Sequence, residues 1–187
     1  MSSNLINTFH SNAELLKMNT QHQASLAAIE QSQWMEKQKI IFVGDGGVGK
    51  TTFVKRYLTG EFNADAHYVP TLGFEVPLTN KPFEIWDTAG IEKHSGLREY
   101  YYLGAKKAVI MFDVRNRNSF DNVLVWLARV KKMCPGIPVM LCANKSDSGV
   151  DSVVKNSEIA AVANTFGLQW FRASVKDGVN LDKPFSN

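Results

Sequence analysis

Residues 44–51 of this 187-residue chain read Gly44-Asp45-Gly46-Gly47-Val48-Gly49-Lys50-Thr51. The stretch matches G-x-x-x-x-G-K-[ST], in which glycines let successive backbone N–H groups point into one cavity that holds oxyanions. We expect Lys50 to reach the β- and γ-phosphates of a nucleotide and the Thr51 hydroxyl to bind Mg²⁺. Residues 39–43 predict a buried strand before the loop, and residues 52–58 predict a helix whose N-terminus faces the phosphates.

A second motif indicates which nucleotide is bound. Asn144-Lys145-Ser146-Asp147 follows the short apolar run 137–143, which predicts a central strand. The Asp147 carboxylate can accept hydrogen bonds from both N1–H and the exocyclic amine of guanine. Adenine offers no such pair of donors, so the carboxylate would be left unpaired against ATP. The Lys145 stem can cover one face of the base, and Asn144 can tie this loop back to residues 44–51.

A third motif lies between the first two and points to a metal ion. Asp87-Thr88-Ala89-Gly90 follows the strand-like residues 83–86. We expect Asp87 to hold Mg²⁺ through water and the Gly90 N–H to meet the γ-phosphate. Thr71, in the preceding loop, is the candidate second hydroxyl on Mg²⁺.

These elements, in this order, resemble the G domain of the Ras superfamily of small GTPases. Ala173-Ser174-Val175-Lys176 resembles the weaker S-A-K element of that superfamily, whose backbone N–H reads guanine O6. The connecting segments 51–62, 96–98 with 101–102, 110–114 and 180–185 resemble the Ran branch, the GTPases of nuclear transport, more than Rab or Rho proteins. The Ran resemblance also implies that Phe62 packs edge-on against guanine, although a core aromatic after a helix end is an alternative.

The resemblance implies GTP/GDP and Mg²⁺ as cofactors, with Thr51, Thr71 and Asp87 around the metal. Lys50, Thr71 and the residue at position 91 would form the catalytic group. Implied partners are nuclear transport receptors and an exchange factor and an activating protein of the Ran type, in the nucleus and the cytoplasm. The residues implied in nucleotide binding are Asp45, Gly46, Gly47, Val48, Gly49, Lys50, Thr51, Thr52, Phe62, Thr71, Gly90, Asn144, Lys145, Asp147, Ser174, Val175 and Lys176.

Composition and net charge exclude only a few classes of function. The formal charge of +3 is too small to indicate nucleic-acid binding. Cys134 and Cys142 read as buried thiols in a reducing compartment. No apolar run reaches about 18 residues, Ser2 excludes N-myristoylation, and residues 185–187 contain no prenylatable cysteine. We therefore expect a monomer without a membrane anchor.

After residue 38, strand and helix patterns alternate, which predicts a mostly parallel, doubly wound α/β sheet of six strands with helices on both faces. Residues 73–78 and 83–87 predict an antiparallel edge hairpin. Ser119 is expected to cap a helix whose Val/Trp/Leu stripe reads as core packing. The remaining elements predicted are a strand at 108–113, a helix at 158–166 stopped by Gly167, and a strand at 168–171.

Three departures from the Ran pattern bear on function. Ile91 stands where relatives have the glutamine that orients the attacking water, so we expect slow hydrolysis unless Glu92 or solvent replaces it. Relatives continue after residue 185 into a final helix and an acidic extension, so we expect this G domain, residues 39–187, to lack that helix. Residues 1–38 form an N-terminal extension, read either as a disordered or weakly helical polar tail or as a helix that docks or binds a partner.

Two function classes therefore stand side by side. One is a Ran-like GTPase whose γ-phosphate and Mg²⁺ order the loops around Thr71 and residues 90–102 so that transport receptors bind. The other is a GTP-binding interaction module that does not cycle. Intact phosphate and Mg²⁺ ligands favour the first, whereas Ile91 and the absent last helix favour the second.

Overall fold

The computed structural model describes residues 37–64, 67, 69–71, 73–88, 100–147 and 151–186. The expectations for residues 1–36, for the nucleotide contact of Gly90 and for Ile91 and Glu92 lie outside these residues.

A six-stranded sheet with the order β2-β3-β1-β4-β5-β6 organises the described chain. The β2–β3 pair is antiparallel and every other neighbouring pair is parallel. This confirms the predicted α/β fold with an antiparallel edge pair. The strands are β1 (Gln38–Val43), β2 (Phe74–Glu75), β3 (Phe83–Thr88), β4 (Lys107–Asp113), β5 (Val139–Asn144) and β6 (Gln169–Arg172).

Helices cover both faces of the sheet. On β1, Ile40 and Phe42 pack with α1, whereas Ile41 and Val43 point to the opposite face and pack with the later helices, as the two-residue period of a strand requires. None of the described helices is long and apolar enough to cross a membrane. The helices are α1 (Lys50–Thr59), α2 (Arg117–Asp121), α3 (Val123–Met133) and α4 (Asn156–Phe166), with 3₁₀ turns at Tyr100–Tyr102 and Lys183–Phe185.

Two local predictions were wrong. Strand β2 has two residues instead of the expected six, because only Phe74 and Glu75 pair with β3, and Pro77 soon after has no N–H to donate. Ser119 does not cap the long helix. It lies inside the short helix α2, where its hydroxyl accepts from the Asp113 N–H at 3.0 Å and donates to the Asn116 carbonyl at 2.8 Å.

The predictions for the two cysteines and for Gly167 are confirmed. Cys134 and Cys142 are both buried free thiols. Gly167 ends α4 in the left-handed conformation, with φ of 66°.

On the α1 face, Phe185 of the last 3₁₀ turn stacks on Tyr57 and Phe83, with ring centroids 4.0 and 4.8 Å apart.

Candidate functional site

The loop between β1 and α1 lies against the sheet at the carboxyl end of its central strands. A Cβ atom on Gly44 would stand 2.1 Å from the Met111 carbonyl oxygen of β4, so only glycine permits this approach. Helix α1 starts directly after Gly49, which is also left-handed with φ of 99°. Buried Lys50 donates to the carbonyls of Gly44 at 2.7 Å and Asp45 at 2.9 Å. The amino end of α1 and a lysine ammonium thus meet in this loop, as phosphate binding requires.

Three oxygen-bearing side chains converge next to this loop. The hydroxyl oxygens of Thr51 and Thr71 lie 2.7 Å apart, although 20 residues separate them in sequence. Neighbouring ligands of an octahedral Mg²⁺ stand at a similar separation of about 2.9 Å. Asp87, at the end of β3, is 1% exposed, and within the described part of the chain neither of its carboxylate oxygens has a hydrogen-bond partner.

Burying a charged carboxylate without a partner costs free energy, and this cost raises the pKa of the carboxyl group. Burial raises the pKa of Asp87 from 3.8 to about 6, and the nearby Thr51 hydroxyl and Lys50 ammonium, neither within hydrogen-bonding geometry, lower it only in part. A divalent cation would compensate this charge, and Mg²⁺ prefers hard oxygen ligands. The residues therefore fit the predicted metal: Thr51 and Thr71 would hold it with their hydroxyls and Asp87 with its carboxylate. When bound, Mg²⁺ would neutralise charge on the nucleotide phosphates.

The raised pKa of Asp87 predicts a pH-dependent difference between the metal-free wild type and Asp87→Asn. Between pH 3.8 and 6 the native carboxyl keeps a proton that the unfolded chain has lost, so this group's stabilisation falls as pH rises through 6. At pH 7 the cost is about 3 kcal/mol. In nucleotide-free protein without metal, Asp87→Asn should therefore melt higher than wild type at pH 7.

Melting curves of both proteins from pH 4 to pH 7 in EDTA would measure this effect. The gap in melting temperature should shrink as the pH falls towards 4. A gap that stays constant over this range would contradict the assignment of an unpaired, ionisable Asp87.

A cavity of about 360 Å³ opens beside the loop and collects most of the residues expected around the base. Its wall also includes two residues that sequence reasoning did not name, Ala64 and Arg115. The lining residues are Gly49, Thr52, Phe62, Ala64, Arg115, Asn144, Lys145, Asp147, Val175 and Lys176.

As expected, Asn144 ties the loop at residues 144–147 to the loop at residues 44–51. Its amide Nδ2 donates to the Val48 carbonyl at 2.8 Å across 96 residues of sequence, and Asn144 is buried. A Cβ atom on Gly49 would stand 2.6 Å from the same Nδ2, which explains glycine at this position. This cavity (the base cavity) and residues 44–51 (the phosphate loop) are therefore fixed to one another.

Lys145 is held over the same loop by two contacts. Its ammonium donates to the Gly47 carbonyl at 2.7 Å and pairs with an Asp113 carboxylate oxygen at 2.8 Å. The other Asp113 oxygen accepts from the Arg115 N–H at 2.9 Å. Lys145 takes a left-handed backbone conformation with φ of 60°, which is uncommon for a residue with a side chain. Lys145 also lines the cavity.

Asp147 is oriented from the far side of the cavity. Its Oδ1 accepts from the Ser174 hydroxyl at 2.7 Å, and that hydroxyl oxygen accepts in turn from the Asp177 N–H at 2.9 Å. Backbone pairing of the Ser146 N–H with the Ala173 carbonyl at 3.0 Å holds the two loops together. A pre-oriented carboxylate in the lining of this cavity can accept from a paired donor edge such as that of guanine.

Comparison with known families agrees with this geometry. The family model described as the Ras family matches residues 39–187. The chain belongs to the Ras family. The match covers the loop at residues 44–51, the side chains of Thr51, Thr71 and Asp87 and the base cavity, and it supports a GTP-binding small GTPase domain.

In this Ras-family domain the structure brings most of the sequence-predicted residues together in two adjoining places. Thr71 and Asp87 lie beside Thr51 of the phosphate loop, and Phe62 lines the base cavity. The Asp45 side chain behaves differently from its neighbours in the loop. Its carboxylate turns to α3 and accepts from Asn122 Nδ2 at 2.7 Å and Trp126 Nε1 at 2.8 Å.

Sequence reasoning missed several residues that position the Ras-family site. Asp113 could have been found, because it ends a central parallel strand where ligand loops gather. Arg115, two residues later, carries no motif signal. Trp126 was read as core packing. It is buried as expected, but its indole N–H also contacts the phosphate loop.

Proposed function

We propose that this Ras-family domain is a Ran-like, guanine-nucleotide-controlled switch in transport between nucleus and cytoplasm. The observation that carries the proposal is the convergence of Thr51, Thr71 and Asp87 beside the phosphate loop. Thr71 belongs to a loop, whereas Thr51 and Asp87 belong to regular elements. A bound Mg²⁺–GTP complex can therefore order the Thr71 loop through its hydroxyl, and loss of the γ-phosphate can release it.

The proposed selectivity for guanine rests on the base cavity. Asp147 supplies two acceptor oxygens, Lys145 and Phe62 line the cavity, and the backbone around Val175 and Lys176 closes it. An adenine base would leave the Asp147 carboxylate without its two donors. GTP and GDP are therefore the proposed ligands, with Mg²⁺ as the accompanying cation.

The Ran assignment rests on the connecting segments 51–62, 110–114 and 180–185. Proposed partners are nuclear transport receptors, which would bind the GTP form, and an exchange factor and an activating protein of the Ran type. The proposed location is the nucleus and the cytoplasm, with the protein acting as a monomer.

A second candidate is a GTP-binding interaction module that does not cycle. Ile91 favours it, because isoleucine has no amide to orient a water molecule. Such a protein would keep the nucleotide-dependent binding surface but would remain in the GTP form once loaded. Single-turnover hydrolysis separates the two candidates.

The switch itself is tested by loading the protein with GDP or with a non-hydrolysable GTP analogue and measuring affinity for a nuclear transport receptor. We expect binding at least about tenfold tighter for the analogue, equivalent to about 1.4 kcal/mol or more. Thr71→Ala is the control: it should keep nucleotide and lose the difference between the two forms. Equal affinity of the wild type in both forms would contradict the switch.

A further inference from the structure

The second residue of the phosphate loop has its side chain tied to a helix rather than to the phosphate site. Asn122 and Trp126 are four residues apart and flank the first turn of α3, so their side chains lie on one face of it. Asn122 Nδ2 donates to Asp45 Oδ2 at 2.7 Å, and Trp126 Nε1 donates to Asp45 Oδ1 at 2.8 Å. Both oxygens of the carboxylate are thus bound, across 77 and 81 residues of sequence.

The geometry of this contact makes it a firm link. Trp126 is 7% exposed and packs in the core, so its indole N–H is held in a fixed direction. The amino end of α3 also favours a negative charge beside it. Hydrogen bonds from two donors to an ionised carboxylate are stronger than neutral ones. Asp45 is therefore anchored to the start of helix α3, whose Trp126 packs in the core.

A carboxylate in a loop that receives a polyanion would by itself weaken phosphate binding. We propose that Asn122 and Trp126 are positioning residues that hold the Asp45 carboxylate, and with it the phosphate loop, in its nucleotide-binding conformation. The inference rests on the proposed function and assigns α3 a role in nucleotide retention. Movement of the first turn of α3 would release Asp45 and loosen the phosphate loop.

This inference and simple electrostatics predict opposite signs for Asp45→Ala. If the carboxylate only repels phosphate, removing it should slow nucleotide dissociation. If it anchors the loop, dissociation of GDP should become about ten- to a hundredfold faster, as expected for loss of hydrogen bonds to a charged group. Asp45→Asn is the matched variant. It is equally uncharged, but it keeps a carbonyl acceptor for Trp126, and the Asn122 amide can rotate to pair with the new amide.

The experiment measures the GDP dissociation rate of the full chain by isotope exchange in the presence of Mg²⁺. We expect Asp45→Ala and Trp126→Phe to release GDP fast, Asp45→Asn to release it more slowly than Asp45→Ala, and the control Trp170→Phe to stay close to wild type. Asp45 is only partly buried, so its variants test the anchor without opening the core. Release of nucleotide by EDTA should also change tryptophan fluorescence, and Trp126→Phe but not Trp170→Phe should abolish the change.

Slower dissociation from Asp45→Ala, or equal rates for Trp126→Phe and Trp170→Phe, would overturn the anchoring role while leaving the proposed function intact. A wild-type protein that retains no guanine nucleotide would instead overturn the proposed function and the inference with it.

Discussion

Replacing Asp147 with asparagine is expected to weaken GTP and GDP binding by at least about 10²-fold. The wild-type carboxylate can accept two hydrogen bonds from guanine, and each bond to a charged group contributes about 1.5–3 kcal/mol. The asparagine amide presents a donor where one of the guanine donors must be received. Xanthine carries a carbonyl in place of the exocyclic amine, so the variant should prefer xanthine nucleotides.

Competition binding with GDP, xanthosine diphosphate and ADP measures this preference directly. Asp151→Asn is a matched control, because Asp151 is exposed and does not line the base cavity. It should bind as the wild type does. An Asp147→Asn protein with unchanged GDP affinity would show that this carboxylate does not read the base.

The second large effect concerns hydrolysis and rests on Ile91. In GTPases of this kind a glutamine at this position orients the attacking water through an amide that both donates and accepts. Isoleucine places hydrocarbon there, while Lys50, Thr51 and Asp87 remain in place to bind phosphate and Mg²⁺. Activating proteins raise such rates by about 10³–10⁵-fold, and most of that enhancement should be lost here. We expect Ile91→Gln to restore much of it.

Single-turnover hydrolysis of preloaded GTP, with and without a Ran-type activating protein, tests the role of Ile91. Ile91→Leu serves as the control, because it changes the shape of the side chain without adding an amide. Wild-type turnover as fast as that of Ile91→Gln would refute the idea that Ile91 disables hydrolysis and would indicate that Glu92 or solvent replaces the glutamine.

The sequence predicted those parts of the site that consist of residues next to one another in the chain. The phosphate loop needs glycines beside one another, and the approach of Gly44 to β4 and of Gly49 to Asn144 shows why. The N-K-x-D motif likewise stands where the predicted strand β5 ends. Local periodicity also predicted the strands and helices that frame both loops.

What the sequence did not reveal depends on contacts between distant segments. Trp126 lies on an apolar stripe, so its pattern indicates burial and conceals the indole N–H that reaches Asp45. The ion pair between Asp113 and Lys145 joins two loops that only the sheet brings together. The raised pKa of Asp87 depends on how completely packing removes water from its carboxylate. The length of β2 depends on how far it pairs with β3 before Pro77.

The central claim is that this Ras-family domain selectively binds guanine nucleotides, and competition on the wild-type protein tests it most directly. Protein stripped of nucleotide with EDTA would be mixed with Mg²⁺ and labelled GDP, and unlabelled GTP or ATP would then be titrated in. The account predicts displacement by GTP at least about 10²-fold more effective than by ATP, because only guanine presents a pair of donors to the Asp147 carboxylate. Equal displacement by GTP and ATP, or no binding of labelled GDP, would contradict it.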